Sequence, residues 1–154
     1  MSSAIRLATT DDIPEIVRLR RVLFESLGAT DAGWEDTCAA VLDNAITEGV
    51  VLACVVDQPA GDALAAVGTA EIQQRLPGPA NRSGLLGYIG TMATDPAFRR
   101  RGLASAILDR LVAELRLHGV ERIELHATPV AESLYRSAGF ADRPGGVEMR
   151  LLDA

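Results

Sequence analysis

Apolar side chains recur at helical spacing in several parts of the chain. The clearest run goes from Ile13 to Leu27, where apolar residues share one helical face up to Gly28. Asp12 and Pro14 suit the start of this helix, because a carboxylate caps free amides and proline needs no amide hydrogen bond in the first turn. Similar patterns predict further helices at about 34–47, from Gly102 to Gly119, and at 129–138.

Short apolar or alternating runs predict the strands of a sheet. Five runs of this kind, bounded by turn residues, precede the last predicted helix, and two final strands follow it. The resulting order, β-α-α-β-β-β-α-β-α-β-β, predicts an α/β fold around a mixed sheet. The runs lie at Ser3–Ala8, Val50–Val56, Leu64–Gln74, Leu85–Thr94 and Arg122–Ala127, and the last strand at Val147–Leu152.

Length and composition narrow the class of protein. The 154 residues suit a single domain spanning residues 1–154. A net charge of −6 argues against a nucleic-acid partner, which usually meets a basic face. The first residues lack the apolar core of a signal peptide, and no apolar run is long enough for a membrane span. Cys38 and Cys54 have no metal-ligand spacing. We therefore expect a cytoplasmic protein with no membrane association and no metal.

The segment from Arg99 to Ser105 has the chemistry of an anion site. It joins a predicted strand to a predicted helix, whose first amides lack intrahelical partners and carry the positive end of the helix dipole. A turn through Gly102 can aim those amides at one anion, and the small side chains of Ala104 and Ser105 leave room for a diphosphate. Arg99, Arg100 and Arg101 add positive charge.

Other kinds of phosphate site have motifs of their own, and this chain lacks them. The chain contains no GxxxxGK[ST] phosphate loop and no GxGxxG after the first strand, so nucleotide and dinucleotide folds of those types are disfavoured. An exposed basic turn without a ligand explains the three arginines equally well when the segment is considered alone.

Two motifs together resemble the GCN5-related N-acetyltransferase (GNAT) superfamily. Arg99-Arg100-Arg101-Gly102-Leu103-Ala104 fits the superfamily signature Arg/Gln-x-x-Gly-x-Gly/Ala, and Leu134 to Phe140 is similar to its LY-x-x-x-GF segment. The element order agrees over nearly the whole chain. The resemblance implies an acetyl-CoA-dependent N-acetyltransferase whose two central strands splay apart. A bulge at Gly87 or Gly90 would permit that splay.

The resemblance also implies which residues hold the coenzyme. Backbone amides from Arg100 through Ser105, Leu103 included, would bind the pyrophosphate. The strand segment Met92-Ala93-Thr94 would bond the pantetheine arm through the backbone groups of Met92 and Thr94. Many superfamily members carry an asparagine seven residues before the tyrosine of the second motif, whereas this chain has Thr128 there. Thr128 could cap the short helix and still offer a hydroxyl to the coenzyme.

Acyl transfer to an amine requires a base, a polarised carbonyl and a protonated leaving thiol. Tyr135 is the expected proton donor to the thiolate, and the amide of Met92 is expected to polarise the carbonyl. Glu71 is the first choice of base, with His126 or a water as alternatives. His118 lies at a predicted helix end, where the dipole explains it without a catalytic role.

The acceptor is the least determined part of the prediction. The resemblance places acceptor recognition in the first two helices and in the 76–84 loop. The acidic residues there, Asp31, Glu35 and Asp36 beside Trp34, favour a small cationic amine. A peptide amine, either an N-terminus or a lysine, is an alternative, as is an acyl-CoA sensor without turnover. A homodimer is also allowed.

Overall fold

The computed structural model describes residues 4–152, with five strands and four α-helices in that range. Ser3, predicted to begin the first strand, lies outside the described residues, as do the ends of the predicted 1–154 domain. The strands are β1 (Ile5–Leu7), β2 (Val51–Asp57), β3 (Leu64–Gln74), β4 (Leu85–Thr94) and β5 (Arg122–Leu125). The helices are α1 (Ile13–Ser26), α2 (Glu35–Thr47), α3 (Leu103–Leu117) and α4 (Glu132–Ser137), with 3-10 turns at Thr10–Asp12 and Pro96–Phe98.

The five strands form one mixed sheet in the order β1-β2-β3-β4-β5. Strands β1 to β4 are antiparallel, whereas β5 runs parallel to β4. A parallel neighbour requires a crossover, and α3 provides it. The predicted α/β fold with a mixed sheet is therefore confirmed.

Helices cover both faces of the sheet and bury a separate apolar cluster on each. We call the side covered by α1 and α2 the front face, and the side covered by α3 the back face. The front cluster includes Ile16, Leu19, Val55, Val67 and Ala93, and the back cluster includes Cys54, Ile89, Ile107, Leu111 and Tyr135. Within residues 4–152 no helix is long and apolar enough to cross a membrane.

A bulge at Gly90 separates the paired part of β4 from its splayed part. Thr69 pairs with Thr91 but Ala70 pairs with Ile89, so Gly90 is the extra residue. Pairing between β4 and β5 runs from Leu86 to Ile89 and does not continue beyond the bulge. The predicted splay therefore begins at Gly90.

Gly87, the alternative bulge position, has a packing role instead. A Cβ atom there would lie 2.9 Å from the Leu115 side chain and 3.2 Å from that of Val120. The absence of a side chain lets the end of α3 approach the sheet closely.

The C-terminal segment departs from the prediction. The two strands expected after the last helix are not formed within residues 141–152, and Val147, Met149 and Leu151 are exposed there. Alternation fixes which face a strand would bury, but a strand also needs a partner backbone. Two ion pairs connect the segment to β5 and to the residue that follows it, Arg143–Glu124 at 3.4 Å and His126–Glu148 at 3.2 Å.

The short helix α4 begins three residues later than predicted. Thr128 does not cap it, because Thr128 O accepts from Ala131 N at 3.0 Å in a preceding turn and the helix starts at Glu132. The predicted glycine stop is confirmed, since Gly139 has φ +100° and Phe140 N donates to Tyr135 O at 3.0 Å.

Candidate active site

The end of β4 is joined to α3 by a rigid connection. Asp95 follows the strand, and its carboxylate accepts from Ala97 N at 2.9 Å, which caps the 3-10 turn. Arg18 of α1 holds the same carboxylate at 2.8 Å. Both bonds lower the pKa of Asp95, and the bond from the Ala97 amide has the larger effect. The turn that follows is therefore fixed to both β4 and α1.

Two residues of the Arg99–Ser105 segment adopt the left-handed backbone conformation. Arg100 has φ +63° and Gly102 has φ +75°. Alternation of this kind points successive amides toward one side, where they form an anion-binding concavity. Space is open in front of Gly102, since a Cβ there would meet nothing within 4 Å. Glycine suits this position because of its positive φ, and the open space leaves room for an anion to approach the turn.

The free amides at the start of α3 fit a diphosphate. Because the helix begins at Leu103, the amides of Leu103, Ala104 and Ser105 have no carbonyl one turn earlier. Within residues 4–152 none of them donates to another group outside the helix. The Leu103 side chain packs toward the back cluster, so only its backbone faces the turn.

The three arginines of the turn are all exposed, but they differ in their contacts. Arg101 stacks on Phe98, with its guanidinium carbon 4.9 Å from the ring centroid, and donates to Ala97 O at 3.4 Å. Arg99 and Arg100 donate no side-chain hydrogen bond to the part of the chain that the structure describes. Arg101 therefore braces the turn, and the other two can move toward an anion.

The splayed half of β4 presents alternate backbone groups to the gap. Asp95 N donates to Ala65 O at 2.8 Å, which sets the phase of the antiparallel ladder. Residues one position away from a hydrogen-bonded pair point their N–H and C=O away from the partner strand. The backbone groups of Met92 and Thr94 therefore face the gap. Ala93 faces β3 with its backbone and buries its side chain, so the structure does not bring this predicted residue to the gap.

Tyr135 belongs to the back cluster and lies beside β5, the strand that parts from β4 at Gly90. It is 7% exposed, and its ring meets that of Phe140 edge-to-face at 6.0 Å between centroids. Burial raises the pKa of the phenol above its ordinary value, so the hydroxyl stays protonated near neutral pH. The residue lines a cavity of about 990 Å³ together with Tyr88 and all four residues of β5.

Glu71 lies on the front face, where the helical cover of the sheet ends. Strand β3 is buried from Leu64 to Ala70, and Glu71 is the first exposed residue after it. It pairs with Tyr88 across the sheet and accepts from Gln73 Nε2 at 3.2 Å. The two predicted catalytic side chains therefore lie on opposite faces of the sheet.

The remaining candidates lie in less defined surroundings. The side chain of His126 is 68% exposed and pairs with Glu148, and His118 Nδ1 is bonded to Glu114 O at 2.8 Å. Thr128 is half-buried. In the acidic group, Glu35 is engaged internally by Gly33 N at 2.8 Å and Arg21 at 3.4 Å, and these bonds lower its pKa.

Sequence analysis missed Arg20, which reaches the site from α1. Its Nη1 donates to Thr91 Oγ1, one residue beyond the bulge. A signal was available, because position 20 follows Ile13, Ile16 and Val17 at spacings of seven, four and three and so continues their apolar stripe. A charged residue in such a stripe needs a polar partner in the interior.

Comparison with known proteins identifies the family. The family model described as "Acetyltransferase (GNAT) family" matches residues 15–140. A solved structure of a predicted acetyltransferase with acetyl-CoA from Clostridium acetobutylicum is similar, with TM-score 0.87, 23% identity and coverage of 97% of this chain and 96% of that one. A GCN5-related N-acetyltransferase from Ralstonia eutropha gives TM-score 0.82, 25% identity and coverage of 97% and 99%.

A curated relative matches over a shorter length. "GCN5-related N-acetyltransferase 1, chloroplastic" from Arabidopsis thaliana is 33% identical over 60 residues, which are 39% of this chain and 30% of that protein. The match thus spans less than a third of the relative.

The fold is the mixed α/β architecture that the similar acetyltransferase structures share. The chain belongs to the acetyltransferase (GNAT) family. The predicted enzyme class and the predicted co-substrate, acetyl-CoA, are confirmed at the level of this family.

Proposed function

We propose that this protein transfers the acetyl group of acetyl-CoA to the primary amine of a small molecule that is cationic at that amine. One observation carries the proposal. The splayed end of β4 leads through a 3-10 turn into a left-handed turn with free amides at the start of α3, and the buried Tyr135 lies beside β5, the strand that parts from β4 at Gly90.

The coenzyme would be held by backbone groups. The amides of Leu103, Ala104 and Ser105 bind the pyrophosphate, and Arg99 or Arg100 adds charge from the exposed side. Met92 and Thr94 bond the pantetheine arm as a neighbouring strand would. Acetyl-CoA supplies the activated acetyl thioester when bound. Thr128 stays a candidate contact, through its hydroxyl.

Three groups of this chain handle charge and protons. The Met92 amide donates a hydrogen bond to the carbonyl oxygen, which polarises it. Glu71 accepts the proton of the incoming ammonium, directly or through water, because its carboxylate is exposed on the front face. Tyr135 Oη donates its proton to the departing sulfur, and burial keeps that proton in place before reaction.

The acidic character of the front side supports a cationic acceptor. Asp36 is exposed at the start of α2, and Glu71 is exposed where β3 leaves the core. Glu35 contributes less than the sequence suggested, because Arg21 already neutralises it.

A thiol-release screen tests the proposed function. Purified protein is supplied with acetyl-CoA and a panel of small primary amines, N-terminal peptides and lysine peptides, and free coenzyme A is measured. Amine-dependent release that is greatest with small amines is expected. If acetyl-CoA binds but no amine raises release above the background, the chain acts as a sensor and the proposal is wrong. Faster turnover of peptides would replace the small-molecule acceptor.

A further inference from the structure

Arg20 is a half-buried arginine to which residues 4–152 offer no carboxylate partner. The other half-buried arginines of this range each pair with Asp or Glu at 2.8 to 2.9 Å. Those paired residues are Arg6, Arg18, Arg110 and Arg122. A guanidinium removed from water is normally neutralised nearby. Arg20 therefore carries a charge that the described chain leaves uncompensated.

The contacts of Arg20 hold its guanidinium in place without neutralising it. Nη1 donates to Thr91 Oγ1, and the guanidinium carbon lies 5.0 Å from the centroid of the Phe24 ring. Nε is closed off from solvent and has no hydrogen-bond partner in the described range. An unsatisfied buried donor destabilises a fold by about 1–3 kcal/mol, so the arrangement calls for a role beyond stability.

Arg20 borders the gap from the front face. Thr91, its anchor, directly follows the bulge residue Gly90, which is exposed and has open space where a side chain would lie. Glu71 is exposed on the same face, two residues beyond Thr69, the strand partner of Thr91. A cation and a carboxylate therefore lie on the front face on either side of the bulge, close in sequence position to Met92, at which the proposed acetyl transfer takes place.

We propose that Arg20 binds the carboxylate of the acceptor, and that the acceptor is therefore a small amino carboxylate. This inference rests on the proposed function and names its substrate class. Nη2 has no partner within residues 4–152, and a guanidinium edge matches a carboxylate in charge and geometry. The ammonium end of such a zwitterion suits the Glu71 side, so both charges of the acceptor meet an opposite charge.

Matched pairs of acceptors test the proposal. The common L-amino acids and β-alanine are compared with their carboxamides in the thiol-release assay. A charge-assisted bond is worth about 1.5–3 kcal/mol, so at least one acid should exceed its amide in kcat/KM by about 10-fold or more. Arg20→Gln should abolish this preference, mainly by raising KM for the acid, while kcat/KM for the amide stays unchanged. Arg20→Lys should restore part of the preference for the acid.

The neighbouring Arg21→Gln is the matched control, because it removes one positive charge from the same helix at an exposed position. It should keep the preference for acids. Calorimetric binding of the N-acetylated acid and amide products gives the same comparison without turnover.

The proposal is wrong if the wild type prefers amides, or if Arg20→Gln weakens acids and amides equally. If amines without a carboxylate are turned over and amino acids are not, the proposal fails while the proposed function stands. The absence of turnover with every amine overturns both.

Discussion

At the scale of single residues, backbone conformation matters as much as side-chain chemistry. Gly102 and Arg100 both lie in the left-handed region, and this conformation turns the first amides of α3 outward. The sequence showed the glycine and the arginines but not the φ of Arg100. It also missed Arg20, because the periodicity of α1 was interpreted only for its apolar positions. Short-range motifs were therefore enough to predict the proposed coenzyme turn, whereas the proposed acceptor contact of Arg20 depends on packing between α1 and β4.

Gly102→Ala should weaken acetyl-CoA binding. A left-handed conformation costs an L-residue about 1–2 kcal/mol, so relaxation of the turn would misdirect the amides and raise the dissociation constant by about 5- to 30-fold. Calorimetric titration with acetyl-CoA measures this effect.

Gly119→Ala provides the control for that strain. Gly119 has φ +79° at the other end of α3 and also faces open space. The Gly119→Ala variant should lose a similar free energy of unfolding and keep the wild-type affinity for acetyl-CoA. Equal affinities of the two variants would show that the turn conformation does not matter for binding.

At the scale of elements, strands flanked by clear turn residues were predicted best. Strands β3 and β4 have the predicted bounds, because Asp95-Pro96 and the loop before Leu85 stop them locally. The C-terminal strands were predicted wrongly, since pairing with β5 is a long-range property that alternation cannot specify. The choice between Gly87 and Gly90 likewise depended on what packs against each glycine.

Gly87→Ala should destabilise the junction of β4 with α3. Its added methyl group would press on Leu115 and Val120, and overpacking of this kind costs about 1–3 kcal/mol. Urea unfolding measures the loss. Gly90→Ala, where space is open, should change the free energy of unfolding far less, and a comparable loss there would contradict the packing argument.

The Arg6–Asp12 pair should make stability fall in acid. The Arg6 bonds at 2.8 Å lower the pKa of Asp12. Protonation of Asp12 is therefore less favourable in the folded state than in the unfolded state. The stability gained is complete above the ordinary carboxyl pKa and is lost as pH falls through the lowered one. Between pH 5 and pH 3 the free energy of unfolding should therefore fall less in Asp12→Asn than in the wild type. Asp57→Asn, more exposed, should differ less from the wild type. Parallel pH profiles for wild type and Asp12→Asn would contradict this assignment.

At the scale of the whole molecule, the sheet separates the proposed coenzyme-binding groups from the proposed acceptor-binding groups. The back face carries α3 and Tyr135, the groups of the proposed coenzyme side, and the front face carries Arg20 and Glu71, the groups of the proposed acceptor side. In this account the two faces are connected at the point where β4 and β5 part, at Gly90. We propose that residues 1–154 form one domain around this sheet. A homodimer stays a prediction, as does a cytoplasmic location.

The central claim is that the Gly90 gap is an acetyl-transfer site closed by Tyr135, and Tyr135→Phe tests it most directly. The measurement compares kcat for amine-dependent thiol release with the calorimetric dissociation constant of acetyl-CoA in the same preparation. Loss of a general acid lowers rates by about 10²–10⁴-fold, so kcat should fall by at least 100-fold while acetyl-CoA affinity changes little. An unchanged kcat, or a fall matched by an equal loss of affinity, would contradict the account.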